Sequence, residues 1–530
     1  MMVVSLIMAL LLGISGEAFA QQRPEATAET VAKGKEIYVK RCWFCHGLEG
    51  KGDGPVADYL NPRPRDFTSG MYKLRITKDA EAPLDDDLFR TVTKGMPGTA
   101  MQGFEGVLSE GERWQVIYFI KGFDKERFAS PPEKAELGSE IRGSVEKGKV
   151  VYEKTRCWEC HGKEGRGDGE SARKLKDEWG FPILPADLTK GWLYKGGNSV
   201  KDIFTRFTTS MDGTPMPSFA DTLSAQDRWD LAAYLKSLIK EPQARGEPVL
   251  KSKRIHQDLP LDPDHPLWVE AEPLDVPLSG QVIAAPRWQN PSVDLITVRS
   301  LYNDKVVAFL LEWNDRFKDT VHEDEAALAK ESYAKLDPKK QWSLRDSVEI
   351  QFPVRIPESA DRPYFFLGQP DKPVSLWRWS ADWNEDSNRK TAVEELNATG
   401  SKTPIVSQPP ESQEVIGKGV WKEGRWKVMM VRPLRTKDQQ RDIQFEAGKM
   451  IPLALHAWDG WRGERGLQMA ISSWQFLVLE VSTPPVVYLY TVLSILFGVT
   501  GEILLVRWAR SRPVFGQRPL GKPAGTLESE

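Results

Sequence analysis

The sequence CWFCH occupies residues 42–46, and the closely similar sequence CWECH occupies residues 157–161. Both have the spacing Cys-x-x-Cys-His, in which two thiols bond to the two vinyl groups of one heme and the adjacent histidine ligates the iron from its proximal side. The sequence therefore predicts two c-type hemes. The residues predicted to attach them are Cys42, Cys45, Cys157 and Cys160, and the predicted proximal iron ligands are His46 and His161.

A zinc site or a thiol-redox site is the alternative interpretation of each Cys-x-x-Cys pair. Zinc would need further cysteine or histidine ligands nearby. All four cysteines of the chain lie in the two motifs, and the remaining histidines stand far away in the sequence, at positions 256, 265, 322 and 456. The sequence therefore favours heme attachment, which in bacteria takes place outside the cytoplasm.

The two motifs belong to a longer repeat. The interval of 115 residues that separates them also relates the sequence GTAM at 98–101 to the sequence GTPM at 213–216. In each copy the methionine of this second motif stands 55 residues after the motif histidine. Because a thioether is a good sixth ligand to heme iron, we predict that Met101 and Met216 are the distal ligands.

Met96 and Met211 share the same repeat interval and are competing candidates for the distal position. The sequence MPSF at 216–219 resembles the distal-ligand loop of class I cytochromes c, and this resemblance favours Met101 and Met216. The second methionine of each pair then fills the core, which is the common role of this side chain.

The residues around the motifs extend the resemblance. Helices are predicted directly before both motifs, the second one over residues 146–156, and Ser109 and Glu112 have the capping-box pattern that begins a further helix. Residues 28–125 and 140–241 each resemble a class I cytochrome c domain. This resemblance implies an all-α fold in which the first and last helices pack around one heme.

Both ends of the chain carry apolar segments. Residues 1–20 have the pattern of a cleaved signal peptide, with a short N-terminal anchor as the alternative. Residues 485–507 are long enough to cross the membrane as one helix, with a buried core helix as the alternative. Arginine stands at positions 507, 510 and 512, so the positive-inside rule predicts a cytoplasmic tail at 508–530 and an extracytoplasmic location for the bulk of the chain.

The segment from 250 to 482 has the pattern of an all-β domain. Short apolar runs alternate with turn-rich loops, which is typical of a β-sandwich. Asn303 and Asp304 separate two of these runs as the turn of a hairpin does. His456 lies within another run and is predicted to be a satisfied core histidine.

The phrases DSVEIQFP at 346–353, VSLWRW at 374–379 and AWDG at 457–460 resemble the heme-binding gamma subunits of ethylbenzene and dimethylsulfide dehydrogenases and the related subunit of nitrite oxidoreductase. The resemblance implies a b-type heme held between methionine and lysine, and a molybdenum and iron–sulfur enzyme as the electron donor. In this sequence Leu367 stands at the methionine position and Met469 at the lysine position. A b-type heme is therefore an open question, with Met469 as the one candidate ligand.

The chain has 530 residues, a net charge of −3 and 28% charged residues, which excludes the basic excess of a nucleic-acid-binding protein. We expect a multidomain chain with two all-α class I cytochrome c domains, one β-sandwich and one C-terminal transmembrane helix. Its expected role is non-catalytic electron transfer within a molybdoenzyme complex, such as a nitrite oxidoreductase-like enzyme, with a cytochrome or terminal oxidase as the acceptor. The alternatives are a heme enzyme of the peroxidase type and a ligand-binding sandwich with redox modules.

Overall fold

The computed structural model of the protein describes residues 23–240, 248–259, 261–321, 339, 344–358, 361–481 and 485–511. The predicted signal peptide and most of the predicted cytoplasmic tail lie outside the described residues. The chain separates into two compact units, residues 1–479 and residues 480–530.

The first domain is helical, as its sequence predicts. Its α-helices are α1 Ala28–Arg41, α2 Trp43–His46, α3 Asp85–Lys94 and α4 Glu110–Ile120. The predicted capping box begins α4, because the Ser109 backbone N–H donates to Glu112 Oε2 at 2.8 Å and the Glu112 N–H donates to Ser109 Oγ at 3.3 Å. These bonds satisfy two amide groups that a helix start would otherwise leave without partners.

The first and last helices of this domain cross at Gly34. A Cβ atom built on Gly34 would lie 2.0 Å from the backbone carbonyl oxygen of Gln115 on α4, so only glycine permits this approach. The crossing encloses Tyr38 from α1 and Trp114 and Ile117 from α4 in one buried apolar cluster. The core of the domain therefore lies between its first and last helices, α1 and α4.

The second domain repeats this arrangement with α5 Val145–Lys154, α6 Trp158–His161, α7 Val200–Thr209 and α8 Ala225–Ser237. Gly148 takes the place of Gly34, since a Cβ on it would meet the backbone carbonyl of Asp230 on α8. The helix before the motif ends two residues earlier than predicted. Arg156 has φ of +58°, a left-handed conformation that an α-helix cannot contain.

This early end shifts the register of the repeat by one residue. Tyr38 stands four residues before Cys42, whereas Tyr152 stands five residues before Cys157. The two tyrosines nevertheless make the same contact, because each hydroxyl donates to the carbonyl of the glycine after the motif histidine, at 2.7 and 2.6 Å. The left-handed backbone at Arg156 accommodates the one extra residue between Tyr152 and Cys157.

The rest of the first compact unit is a large β-sheet domain. Its described strands are β1 Val249–Arg254, β2 Leu274–Pro277, β3 Ser279–Gly280, β4 Leu295–Tyr302, β5 Val306–Asn314, β6 Ser347–Pro353, β7 Val374–Ser380, β8 Val393–Ala398, β9 Val406–Ser407, β10 Ile416–Lys422, β11 Arg425–Pro433, β12 Met450–Trp458, β13 Ala470–Ile471 and β14 Gln475–Leu479. The main path runs β10-β11-β5-β4-β1-β14-β12-β6-β7-β8-β9. Strand β1 pairs in parallel with β4 and β14 and so links the two halves of this path.

Large apolar side chains fill the core of the β-sheet domain. Phe309 of β5, Phe352 of β6, Trp377 of β7 and Trp426 of β11 are all fully buried in one cluster that draws on both halves of the sheet path. The predicted hairpin joins β4 to β5, with the Asn303 N–H donating to the carbonyl of Val306 at 3.0 Å. Most of the described tryptophans of this domain are buried, and Trp383, Trp421 and Trp474 are half-buried.

The C-terminal unit contains the helix α9, Pro485–Ser511, of 27 residues. At a rise of about 1.5 Å per residue it is roughly 40 Å long, more than the hydrocarbon core requires. Its apolar side chains are exposed, with Phe497 at 84% of its full accessibility. It is a candidate membrane span by length and composition, and it continues four residues beyond the predicted 485–507.

Replacing Gly34 with alanine tests the helix crossing. The added methyl group would force α1 away from Gln115, and overpacking of this kind costs about 1–3 kcal/mol. We expect a lower thermal midpoint and covalent heme that falls from two toward one per chain, measured by calorimetry and heme quantification. Gly106→Ala is the control, because no atom lies within 4 Å of its Cβ position. Equal stability and heme content in both variants would contradict a tight crossing.

Candidate heme sites

The motif histidines are held by the same contact in both helical domains. His46 Nδ1 lies 2.9 Å from the carbonyl oxygen of Arg65, and His161 Nδ1 lies 3.0 Å from that of Ala186. A carbonyl only accepts, so Nδ1 carries the proton and Nε2 presents its lone pair. Burial lowers the pKa of His46 to about 4 and lowers the pKa of His161 as well. Both imidazoles are therefore neutral near pH 7, the form that ligates iron.

The four cysteines are unlike the thiols of a redox motif. Burial raises the pKa of the Cys42 thiol to about 12, and it also raises the pKa of Cys45, Cys157 and Cys160. Thiol-redox sites need a lowered pKa, because the thiolate is the nucleophile. Within the described residues, three metal-ligating side chains come together in a single group of aspartates, which contains no cysteine. These observations therefore support neither a thiol-redox site nor a zinc site at the two motifs.

The two methionines of each pair lie on one short turn. The Met96 N–H donates to the carbonyl of Met101 at 2.9 Å, and Thr99 Oγ1 donates to the carbonyl of Met96 at 2.7 Å. Met211 and Met216 are joined by the corresponding N–H to carbonyl bond at 3.4 Å. The repeat therefore preserves the turn as well as the sequence.

The second helical domain contains a cavity of about 580 Å³ beside its motif. Its lining includes Cys157, Cys160, His161, Met211 and Met216. The residues predicted for this site are thus brought together around one space, whose lining offers two thiols, a neutral imidazole and two thioethers. This donor set suits a c-type heme. Because both methionines reach the cavity, Met216 as the distal ligand stays a prediction.

In the first domain the predicted site residues also share one region. Cys42 and Met101 pack against the same apolar cluster. The His46 ring stacks on Phe67, with 4.5 Å between the ring centroids. The choice between Met101 and Met96 stays a prediction here as well.

The cavity of the second domain has basic side chains that sequence reasoning did not identify. Lys73 comes from the first domain, Arg206 from the second, and Arg316 and Arg462 from the β-sheet domain. No spacing relates these residues to the motif at 157–161, because tertiary packing alone brings them together. Only the structure could reveal them.

The β-sheet domain brings Leu367 and Met469 into one buried apolar cluster, and each is 1% exposed. Leucine has no atom that ligates iron, so the pair expected from the gamma-subunit resemblance is incomplete. His456, predicted to be a satisfied core histidine, is only half satisfied: Nδ1 lies 2.7 Å from Glu349 Oε1, while its Nε2 is buried with no hydrogen-bond partner among the described residues. Its ring lies 6.3 Å from that of Phe366, a member of the same cluster.

Comparison with known proteins identifies all three domains of the first compact unit. Residues 29–120 match the family "Cytochrome C oxidase, cbb3-type, subunit III", residues 145–238 match the family "Cytochrome c", and residues 265–405 match the family "Ethylbenzene dehydrogenase". The chain is a multidomain cytochrome in which two cytochrome c domains precede an ethylbenzene dehydrogenase-like domain. These family matches support c-type heme and electron transport in this chain.

Two curated relatives match about two fifths of the chain. ORF7 of Haloferax mediterranei, provisionally assigned as a respiratory nitrate reductase heme subunit, is 24% identical over 220 residues, which cover 42% of this chain and 68% of that protein. The Cbb3-type cytochrome c oxidase subunit CcoP of Azospirillum brasilense is 27% identical over 223 residues, which cover 41% of this chain and 65% of that protein. The chain thus spans about two thirds of the length of these relatives.

Solved structures also align with part of the chain. One of them is the reducing HAO-like protein complex of Kuenenia stuttgartiensis, 43% identical, with coverage of 41% of this chain and 100% of that chain and a TM-score of 0.39.

Replacing Met101 with alanine tests the distal ligand. If its sulfur binds iron, the variant loses roughly half of the far-red sulfur-to-iron absorption of the diheme chain, and one heme falls in potential because His/Met ligation raises it. Absorption spectra and a redox titration measure both effects. Met96→Ala is the matched control and should leave both unchanged. The opposite result would assign Met96 as the ligand.

Proposed function

We propose that this chain is the membrane-anchored electron-transfer subunit of an extracytoplasmic oxidoreductase complex. The observation that carries the proposal is the duplication of a complete heme site: each copy supplies two thiols, a neutral histidine and a methionine 55 residues further on. An iron with a protein ligand on each side has no open position for a substrate. Two such sites favour electron transfer over the catalytic turnover of a substrate.

An ion pair with a fully buried arginine links the two cytochrome domains, which supports electron transfer between them. Arg75 of the first domain is fully buried, and its Nε donates to Asp212 Oδ2 of the second domain at 2.8 Å. Its Nη2 also donates to Ser210 Oγ at 2.9 Å. A buried guanidinium that lost its carboxylate would be strongly destabilising, so this contact holds the two domains as one unit.

The ethylbenzene dehydrogenase-like domain packs directly on the second cytochrome domain. Arg316 Nη1 donates to the carbonyl of Pro185 at 2.9 Å, and Lys190 Nζ donates to Asp294 Oδ1 at 2.8 Å. The second cytochrome domain therefore contacts both of its neighbours. This supports a path in which it relays electrons between the β-sheet domain and the first cytochrome domain.

The gamma-subunit resemblance supplies the direction of this path and its partners. Electrons enter at the β-sheet domain from a molybdenum and iron–sulfur enzyme, such as a nitrite oxidoreductase-like enzyme, and leave through the c-type hemes to a cytochrome or terminal oxidase. The name of the Haloferax relative, a nitrate reductase heme subunit, agrees with a partner of this kind. The helix Pro485–Ser511 is the anchor, and the predicted signal peptide and positive-inside arginines support an extracytoplasmic location.

A b-type heme in the β-sheet domain would add a third redox station. Met469 is the predicted ligand, and His456 offers a second ligating atom whose partner nitrogen is backed by Glu349, as metal-binding histidines commonly are. Acidified butanone removes such a heme but leaves thioether-bound heme in place. Extractable heme that disappears in Met469→Ala and His456→Ala would assign both ligands. A chain without extractable heme has a β-sheet domain that only docks the partner.

Ligand binding to the reduced protein tests electron transfer against peroxidase chemistry. We expect no carbon monoxide complex and no peroxide turnover in the native chain, because both irons are saturated, together with rapid reduction of a soluble c-type cytochrome. Met216→Ala is the positive control, since opening one iron should let about one carbon monoxide bind per chain. A native chain that binds carbon monoxide and turns over peroxide would contradict the proposal.

A further inference from the structure

The cavity beside the motif at 157–161 carries an excess of positive charge. Among the described residues, eight lysine and arginine side chains line it against three aspartates. The aspartates are already engaged: Asp58 pairs with Arg63, while Asp177 and Asp187 accept backbone N–H groups at 2.9 Å from Phe181 and Thr189. The lining therefore carries more positively than negatively charged side chains.

Several of these cations have polar atoms without a partner. Arg206 Nε and Nη1 and Arg462 Nε are buried and make no hydrogen bond within the described part of the chain. Lys73 makes no hydrogen bond or ion pair there either. Burial, and after it the charges of Arg65 and Lys195, lowers the pKa of Lys73 to about 7. Among the described residues, Lys73, Arg206 and Arg462 therefore stand on the cavity wall without forming an ion pair, although Asp177 is near enough to act on the charge of Lys73.

The cations come from three domains, and one of them, Arg316, contacts the loop behind the motif histidine. Arg316 of the β-sheet domain donates to the carbonyl of Pro185 at 2.9 Å. The next carbonyl, that of Ala186, is the one that orients His161. Arg462, also of the β-sheet domain, donates to the carbonyl of Asn61 in the first cytochrome domain at 2.9 Å. These arginines thus stand where the three domains meet.

A heme is a dianion at its carboxylate edge, which lies opposite the two vinyl groups that the cysteines use. We propose that Arg316 and Arg462 of the β-sheet domain and Lys73 of the first cytochrome domain, together with Arg206, bind the two carboxylates of the heme attached at Cys157 and Cys160. This inference rests on the proposed heme assignment and deepens it. The second heme is then held by all three domains, and its carboxylate edge faces the β-sheet domain that receives electrons.

The charge of these residues also sets the potential of that heme. Positive groups close to the porphyrin stabilise the reduced form, which is the more negative one. Removing one of them should favour the oxidised heme. The first heme, which does not share this cavity, should be unaffected.

Spectroelectrochemical titration of the full-length, detergent-solubilised chain tests the proposal. In Arg316→Gln and Arg462→Gln we expect one of the two potentials to fall, the same one in both variants, by roughly a tenfold change in the oxidised-to-reduced ratio, or about 59 mV for one electron. Arg316→Lys keeps the charge and should restore most of the shift. Arg435→Gln removes the same charge from an exposed arginine outside the cavity and should move neither potential.

Lys73→Met gives a second, independent variant in case the arginine variants fold poorly. It replaces a half-buried ammonium group by an apolar side chain of similar length and should lower the same potential. Two attached hemes with unchanged potentials in Lys73→Met and in both arginine variants would overturn the carboxylate proposal alone. Fewer than two attached hemes in the wild-type chain would instead overturn the heme assignment on which it rests.

Discussion

The hydrogen bond between each motif histidine and a backbone carbonyl is the contact on which both heme sites depend. It fixes the tautomer, leaves Nε2 as the nitrogen that would ligate iron and requires a loop to pass directly behind the imidazole. In the second cytochrome domain that loop is Pro185 and Ala186, and the carbonyl of Pro185 also receives Arg316 from the β-sheet domain. One short loop therefore joins iron ligation to the packing of the neighbouring domain.

Structural features that depend only on adjacent residues could be predicted from the sequence. The heme motifs, the capping box at Ser109 and the hairpin turn at Asn303 each depend on a few neighbouring side chains and backbone groups, and the structure contains all three. The register of the repeat was harder to predict, because the left-handed turn at Arg156 accommodates one extra residue between the helix and the motif. No local sequence pattern predicts that an arginine will adopt a left-handed backbone conformation.

Contacts between domains could not be predicted in the same way. Arg75 and Asp212 are 137 residues apart in the sequence, and nothing local marks either as a partner. The cavity beside His161 likewise gathers Lys73, Arg316 and Arg462 from different domains. Family resemblance placed Leu367 and Met469 at corresponding ligand positions, and the structure brings them into one cluster. The resemblance could not show that His456 keeps a nitrogen without a hydrogen-bond partner among the described residues.

The pyridine hemochrome spectrum of the purified full-length protein, with heme quantified per chain, tests the central claim most directly. The account predicts two thioether-bound c-type hemes per chain, one at each Cys-x-x-Cys-His motif. Any additional heme that acidified butanone extracts would belong to the β-sheet domain. A fully matured preparation with fewer than two covalently bound hemes would contradict the account, because both cytochrome domains and the path between them depend on that number.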